Sequence, residues 1–425
     1  MSVPWKYGCF EHFVDMRGSW FYISRWLSIT RPSMAMAKYL FWISIAALFY
    51  TYIGYPVAIW LLACLRDRKV SKAPITPRVS VVLPCHNEEA NIEARIGNLL
   101  ASDYPSELLE IIIISDGSTD LTAALARRCR SRRVRVFEYK NRRGKASALN
   151  LGVENASGEI IVFADARQRF ESDAIKELTA NFADHSVGAA SGHYILDRGE
   201  EAQAVGESIG LYWRYEEWIR KSEARFDSVI GATGAIYAIR RSLWKPLPSA
   251  AILDDVYTPM HIAASGHRIV FEENARAHDR VADSTSREFS RKVRTLTGNY
   301  QLCQLMPRLL APSYRLFFQF YSHKLMRLAA PLFFMLLLAA NLWIAVQATD
   351  EWELLFYKIF LMGQIIFYAS VLAGGLLRKR RLRLLSVAYV FSVMNAAALV
   401  GLIYFILGKR NVWTVSRQLP LEMGE

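Results

Sequence analysis

Four long apolar runs stand out along the chain, one near its start and three near its end. They cover residues 39–64, 325–346, 354–377 and 384–407. At about 1.5 Å of rise per helical residue, each run is long enough to cross roughly 30 Å of hydrocarbon. Lys358 falls near the start of the third run, where its ammonium group can reach the headgroups. The pattern predicts four transmembrane helices.

Between the first and second runs, short β-branched segments alternate with amphipathic helical segments. This alternation predicts βαβ units and an α/β domain with a mostly parallel sheet. Such sheets bind ligands at the carboxyl ends of their strands, so the residues that follow each strand are candidate functional residues. The predicted strands cover residues 79–83, 109–115, 134–139 and 159–165, and the predicted helices cover residues 87–101, 121–129 and 146–154.

The charge distribution orients these segments. The chain has a formal net charge of +13 and is 52% hydrophobic. Basic residues crowd at 66–69 and 378–383, whereas the loop at 350–353 is acidic. By the positive-inside rule both basic segments, and with them the long middle of the chain, are cytoplasmic. The five scattered cysteines have no metal-ligand or paired spacing, which disfavours a disulfide framework or a zinc site.

Together these patterns predict the domain organisation. Residues 1–37 have no clear pattern, and two explanations remain open. The start codon is assigned too far upstream and translation begins at Met34 or Met36, or the segment forms an interfacial amphipathic helix. The predicted domains are the N-terminal segment 1–37, a transmembrane helix at 38–65, a cytoplasmic domain at 70–323 that ends in interfacial helices, three transmembrane helices at 324–408, and a tail at 409–425.

Polar residues cluster where the predicted strands end. The first strand leads into Pro84, His86 and Glu88, the second into Asp116, and the last into Asp165. There is no Gly-x-Gly-x-x-Gly after the first strand and no P-loop motif, so a dinucleotide site and a P-loop are disfavoured.

Four segments in order, VSVVLPCHNEE, IIIISDGSTD, RRGKASALNLG and IIVFADARQRF, resemble the family 2 glycosyltransferases, the group that contains the cellulose, hyaluronan, chitin and poly-N-acetylglucosamine synthases. The resemblance implies a GT-A-like nucleotide-sugar-binding domain with transmembrane helices at both ends. It also implies a multi-pass protein of the cell (inner) membrane whose catalytic domain is cytoplasmic.

The resemblance assigns the donor-binding residues. The loop with Pro84, His86 and Glu88 would lie against the uracil and ribose, Asp116 would bind the base, and Lys145 the diphosphate. Lys145 begins a predicted helix, whose N-terminus also attracts phosphate. The structural alternatives are a plain turn capped by Asn87, a capping role for Asp116, and a solvated Lys145.

The cation site departs from the family pattern. Asp165 matches the first aspartate of an Asp-x-Asp element that holds Mg²⁺ or Mn²⁺, but Arg167 replaces the second. Residues two apart on a strand share a face, so Arg167 is predicted to point at the same pocket. The resemblance therefore implies a divalent cation, Mg²⁺ or Mn²⁺, and the replacement by Arg167 leaves open whether the reaction requires it.

The acceptor side has three matching elements. Asp255, in the pair Asp254–Asp255, matches the family aspartate that removes the acceptor proton; the alternative is an acidic pair that merely opens a helix. Residues 231–234, with Arg240 and Arg241 beyond, resemble the segment that lines the acceptor site. Arg294 alone keeps its place in a Gln-x-x-Arg-Trp element, where the resemblance implies that it helps UDP to leave. The missing tryptophan weakens the case for a long processive polymer and favours a different grip on the acceptor.

The partners implied are a UDP-sugar donor, a growing glycan or lipid-linked acceptor, and membrane lipids. A nucleic-acid partner is disfavoured because the positive charge follows the membrane topology. The alternative function is a non-catalytic membrane subunit of a polysaccharide-synthesis complex, suggested by Arg167 and the missing tryptophan.

Overall fold

A computed structural model describes residues 33–197, 203–280, 285–377 and 383–408. The N-terminal segment before Ser33 and the tail after Gly408 therefore lie outside the described residues. The chain divides into two compact units: Met1–Ile45 with Met335–Gln364, and Ala46–Phe334 with Ile365–Glu425.

The described part of the chain has four helices that are long and apolar enough to cross a membrane, at the four predicted places. The first contains a π-helical turn at Tyr50–Gly54. The second starts at Phe317, well before the predicted residue 325. Its first turns carry polar side chains, such as His323, which fall outside the apolar run and have partners elsewhere in the fold. Large apolar side chains such as Leu372 (69% exposed) remain uncovered, as expected of helices that face lipid. These helices are α1 (Met34–Leu65), α9 (Phe317–Gln347), α10 (Glu351–Leu376) and α11 (Arg383–Ile406).

The domain between α1 and α9 is built on one eight-stranded sheet with the order β3-β2-β1-β4-β7-β6-β8-β5. All four predicted strands are present and pair in parallel. Beyond them the sheet is mixed, since β7 runs antiparallel to β4 and β6, and β5 antiparallel to β8. The strands are β1 (Val79–Cys85), β2 (Leu109–Asp116), β3 (Val134–Tyr139), β4 (Ile160–Ala164), β5 (Arg169–Phe170), β6 (Val187–Asp197), β7 (Ile236–Arg240) and β8 (Arg268–Arg280).

Helices cover both faces of the sheet. Alternate residues of a strand point to opposite faces, so Val81 packs in one apolar core and Val82 in the other. The first core contains side chains of α2 and α5, and the second contains side chains of α4, α7 and α8. The helices of this domain are α2 (Ile92–Leu100), α3 (Thr122–Arg128), α4 (Lys145–Glu154), α5 (Ala174–Ala180), α6 (Gln203–Phe226), α7 (Asp254–Ala264) and α8 (Thr285–Leu305).

The smaller unit has an apolar core of its own. Phe41 is fully buried and makes edge-to-face contacts with Tyr357 and Phe360, at ring-centroid distances of 4.9 and 5.5 Å. Lys38 forms an ion pair with Glu353. Aromatic packing of this kind adds to the burial of apolar area that holds these helical segments together.

Candidate active site

The predicted site residues come together at one edge of the sheet. β1, β2 and β4 are parallel neighbours, so the residues after each strand emerge at the same edge. Ile236, the first residue of the antiparallel strand β7, pairs with Ala164, the last residue of β4. The segment before β7, residues 231–234, therefore enters the sheet at the edge where β4 ends, although the two segments are far apart in sequence.

The loops after β1 and β2 are bound to each other. Asn87 adopts a left-handed conformation with φ of 54°, which asparagine tolerates better than most residues. Its side chain accepts the Thr119 N–H at 2.9 Å, and its own N–H donates to Ser118 Oγ at 3.2 Å. The following helix starts at Ile92, and its N-cap residue is Asn91, so the alternative in which Asn87 caps this helix is wrong.

Asp116 connects the end of β2 to the start of α4. Its two carboxylate oxygens accept the backbone N–H groups of Arg143 and Gly144 at 2.7 and 2.8 Å. Its backbone carbonyl accepts a hydrogen bond from His86 Nδ1 at 2.8 Å. Asp116 thus fixes the turn that presents Lys145, the first residue of α4, and it lies beside the loop that contains His86 and Pro84.

Lys145 lies between two carboxylates. Its Nζ is 3.1 Å from Asp165 Oδ1 and 3.4 Å from Asp254 Oδ1. Burial opposes the ammonium charge, but Asp165, Asp254 and Asp255 outweigh it and raise the pKa of Lys145 above its ordinary value. The alternative of a solvated lysine is therefore wrong: the side chain is 24% exposed and paired on two sides.

The two aspartates at the start of α7 have different surroundings. Asp254 is 8% exposed and accepts a long hydrogen bond from the Tyr237 hydroxyl at 3.5 Å as well as contacting Lys145. Asp255 instead accepts the Gly234 N–H on Oδ2 at 3.1 Å. A Cβ on Gly234 would lie 2.8 Å from that oxygen, so only glycine fits this approach of the loop.

Burial and the neighbouring charge of Asp254 raise the pKa of Asp255 to about 6, against partial compensation by Lys145, Lys324 and Arg294. A carboxylate with a pKa near the working pH is suited to accept a proton as a general base. Both aspartates also lie in the first turn of α7, as the helix-opening alternative states. That position does not prevent the Asp255 carboxylate from accepting a proton.

Arg294 and Arg167 are placed differently. Arg294, on α8, interacts electrostatically with Asp165, Asp255 and Asp254; burial lowers its pKa and the three carboxylates raise it, with a net decrease. Arg167 is 54% exposed, and its Nε lies 3.3 Å from Glu88 Oε1. The ion pair with Glu88 brings the arginine to the loop after β1, at the same sheet edge as the other predicted residues.

A divalent cation would find one suitable ligand here. Among the described residues no group of three or more His, Cys, Asp or Glu side chains is arranged to hold a metal. Mg²⁺ often keeps several waters and binds through one or two carboxylates plus substrate phosphates. Asp165, at the rim of the cluster, fits that mode, in which a bound diphosphate supplies the other ligands.

Two residues that support the site were not predicted from the sequence. Arg95 is 2% exposed, lies over the Phe170 ring at 4.1 Å and donates to the Asp165 carbonyl at 3.1 Å. Its signal was a charge on the apolar face of α2, one turn from Ile92 and Leu99. Tyr237, which supports Asp254, gave no such signal, because an aromatic residue in a strand is ordinary.

Two other arginines have structural roles. Arg240 donates to the carbonyls of Val187, Phe182 and Asp184. Arg241 donates to the Ala156 carbonyl at 2.6 Å. Both guanidinium groups satisfy main-chain acceptors, which explains their place in the fold without an acceptor-lining role.

The chain is similar to known glycosyltransferases over this domain. Residues 80–246 match the family model described as glycosyl transferase family 2. The fold is shared with the mannosyltransferase PcManGT from Pyrobaculum calidifontis, which was determined in complex with GDP-Man and Mn²⁺: the TM-score is 0.67 at 22% identity, covering 87% of this chain and 99% of that one. A GT-A-like fold flanked by apolar helices, predicted from the sequence, is therefore confirmed.

Two curated relatives are named for N-acetylglucosamine chemistry. A poly-beta-1,6-N-acetyl-D-glucosamine synthase from Staphylococcus aureus is 27% identical over 229 residues, which is 53% of this chain and 55% of the relative. An N-acetylglucosaminyltransferase from Azorhizobium caulinodans is 26% identical over 178 residues, 41% of this chain and 45% of the relative. The chain thus spans about half the length of the curated relatives it matches.

Proposed function

We propose that this protein is an inverting membrane glycosyltransferase that moves a sugar from a UDP-sugar to a polysaccharide or lipid-linked acceptor during cell-surface polysaccharide biosynthesis. The observation that carries the proposal is the Lys145 ammonium group held between Asp165 and Asp254, with Asp255 beside them. The cluster combines a cation for phosphate with a carboxylate of raised pKa. The family 2 match and the relatives' names support the same reaction class.

In the proposed reaction the acceptor hydroxyl gives its proton to Asp255 as its oxygen bonds to the anomeric carbon. The bond from that carbon to the diphosphate oxygen breaks, and UDP leaves with the bonding electrons. Lys145 and Arg294 stabilise the charge that develops on the diphosphate, since fixed cations in a site of low dielectric act strongly. A divalent cation bound through Asp165 would supply further positive charge to the same oxygens. A single displacement of this kind inverts the anomeric configuration.

The proposed site faces the cytoplasm, where nucleotide sugars are made, and the four apolar helices hold it at the inner membrane. The positive-inside pattern supports this orientation. The relatives' names favour N-acetylglucosamine as the sugar, whereas the structural neighbour was determined with GDP-Man, so donor choice requires a direct test.

The test is a donor screen with the full chain in lipid nanodiscs. UDP-N-acetylglucosamine, UDP-glucose, UDP-galactose and GDP-mannose are supplied with lipid extract, and mass spectrometry identifies the lipid and polymer products. Release of UDP with a new glycosidic product is expected. Absence of any product from every donor would favour the alternative of a non-catalytic subunit of a polysaccharide-synthesis complex.

A further inference from the structure

A row of buried and half-buried charged side chains lies on α6, outside the cluster around Lys145. Glu216, Arg220 and Glu223 are three or four residues apart, so they share one face of the helix. Glu223 is completely buried. Buried charges are costly unless they are paired, and each of these three has identifiable partners.

On one side these residues contact the membrane helices. Glu223 Oε1 accepts the Tyr55 hydroxyl of α1 at 2.5 Å and lies 2.7 Å from Nδ1 of His323 on α9. The other nitrogen of His323, Nε2, is 3.2 Å from Glu216 Oε2. Glu216 also forms an ion pair with Arg327, one turn further along α9.

On the other side, Arg220 and Glu223 contact the loop before β7, residues 230–234, whose Gly234 binds the Asp255 side chain. Arg220 donates from Nη1 to Thr233 Oγ1 at 2.8 Å and from Nη2 to Ser191 Oγ at 2.7 Å. Glu223 Oε2 accepts the Ile230 N–H at 3.4 Å. Residues 230 and 233 belong to the segment 230–234, whose Gly234 N–H donates to the Asp255 carboxylate. One face of α6 therefore connects the apolar helices α1 and α9 to the loop of residues 230–234.

The charge state of Glu223 fits this arrangement. Burial raises its pKa, but His323, with the hydrogen bonds from Tyr55 and Ile230, outweighs burial and lowers the pKa below its ordinary value. The carboxylate is thus ionised at neutral pH and can accept from both sides at once. Buried ionic groups add little net stability compared with apolar packing, so a geometric role explains their presence better than a stabilising one.

We propose that Glu216, Arg220 and Glu223, with Tyr55 and His323, form a positioning network that sets residues 230–234, and through them the Asp255 carboxylate, against helices α1 and α9. This inference rests on the proposed function for its kinetic consequence. The network acts on the acceptor side: it aligns the base with an acceptor that arrives at the membrane helices, and it leaves the donor residues around Lys145 untouched.

Two tyrosines of α1 provide a matched test. Tyr55→Phe removes the hydroxyl that binds Glu223, whereas Tyr50→Phe removes a hydroxyl that binds Ser322 of α9 at 2.6 Å and, among the described side chains, none of α6. With the full chain in nanodiscs, Tyr55→Phe should lower kcat roughly tenfold, because small misplacements of a reacting group are costly, while UDP affinity and the donor KM stay unchanged. Tyr50→Phe should retain wild-type kinetics.

Hydrogen exchange of the free protein gives a readout that needs no turnover. Backbone amides of residues 230–234 should exchange roughly tenfold faster in Tyr55→Phe and at the wild-type rate in Tyr50→Phe, since local opening governs exchange. Equal exchange in all three proteins, or a Tyr55→Phe variant that loses kcat and UDP affinity together, would overturn the network. If the wild type releases no UDP but loop exchange still rises in Tyr55→Phe, the proposed function fails and the network stands.

Discussion

The adjacent residues Asp254 and Asp255 have different contacts, and we expect them to have different roles. Asp254 is paired with Lys145, whereas Asp255 accepts a backbone N–H and has a raised pKa. We expect Asp255→Asn to lower kcat by about 10² to 10⁴-fold, the usual contribution of a general base, while UDP affinity persists. Asp254→Asn should lower kcat less and weaken UDP binding more, because Lys145 loses a partner. UDP release and calorimetry of UDP binding would measure both effects.

The opposite pattern, with Asp254→Asn inactive and Asp255→Asn near normal, would move the base by one residue. Normal turnover in both variants would remove the acidic pair from the mechanism. In the wild type, kcat/KM for the acceptor should fall as pH decreases below about 6, because Asp255 must be ionised to accept a proton.

The same residue has a measurable effect on stability. Asp255 has a pKa of about 6 in the fold against an ordinary 3.8, so between these values the folded protein binds a proton that the unfolded chain releases. Stability from this group is present below about pH 4 and is lost as pH rises through about 6. Asp255→Asn should therefore raise the stability at pH 7, by at most about 3 kcal/mol, and the gain should vanish near pH 4. Thermal unfolding at both pH values tests this; a variant with a lower Tm at pH 7 would contradict it.

Arg167 tests how the site supplies positive charge. If the arginine partly replaces a metal ion, Arg167→Ala should weaken UDP binding several-fold and make the remaining activity more dependent on Mg²⁺ or Mn²⁺. Arg169→Ala, a neighbouring exposed arginine on β5, is the control. UDP affinity with and without EDTA distinguishes the cases. Unchanged affinity in Arg167→Ala, with activity that EDTA abolishes fully, would show that the Glu88 ion pair is only a surface contact.

At the scale of elements, the predictable part is local and the unpredictable part is long-range. The strands of the first half could be predicted because apolar β-branched runs such as LEIIIIS alternate with helical segments. The antiparallel insertion of β7 between β4 and β6 could not, since strand order depends on pairings between distant segments. The position of Gly234 beside Asp255 depends on that pairing. The acceptor half of the site could therefore be predicted from the motif resemblance but not from the strand pattern.

Two glycines provide a matched test of the loop before β7. Gly234→Ala would place a Cβ 2.8 Å from Asp255 Oδ2, so the loop or the carboxylate must shift. We expect kcat to fall at least tenfold with UDP affinity retained. Gly97→Ala, within α2, meets nothing within 4 Å and should keep full activity and add up to about 1 kcal/mol of stability through helix propensity. Full activity in Gly234→Ala would show that the loop does not position Asp255.

At the scale of the whole molecule, the number of apolar helices was predictable, but the start of α9 was not. Hydropathy finds the centre of a span, whereas α9 begins at Phe317 with His323 and Arg327 inside its first turns. Those polar residues interrupt the apolar pattern, and hydropathy alone cannot reveal their partners, Glu216 and Glu223, which lie at least 100 residues earlier in the chain. The polar start of α9 therefore belongs both to a long apolar helix and to the contacts of α6.

The orientation of these helices determines whether the site can meet cytosolic nucleotide sugars at all. Basic residues at 378–383 and an acidic loop at 350–353 predict opposite sides of the membrane for the two ends of α10. We expect a reporter fused after Arg383 to be cytoplasmic and one fused at Thr349 to be external. A third fusion, after Gly408, tests the end where Lys409 and Arg410 oppose the external location that four spans require. A cytoplasmic signal there alone would change only α11, whereas reversed signals at Thr349 and Arg383 would place the Lys145 cluster outside the cell, away from UDP-sugars, and would contradict the proposed reaction.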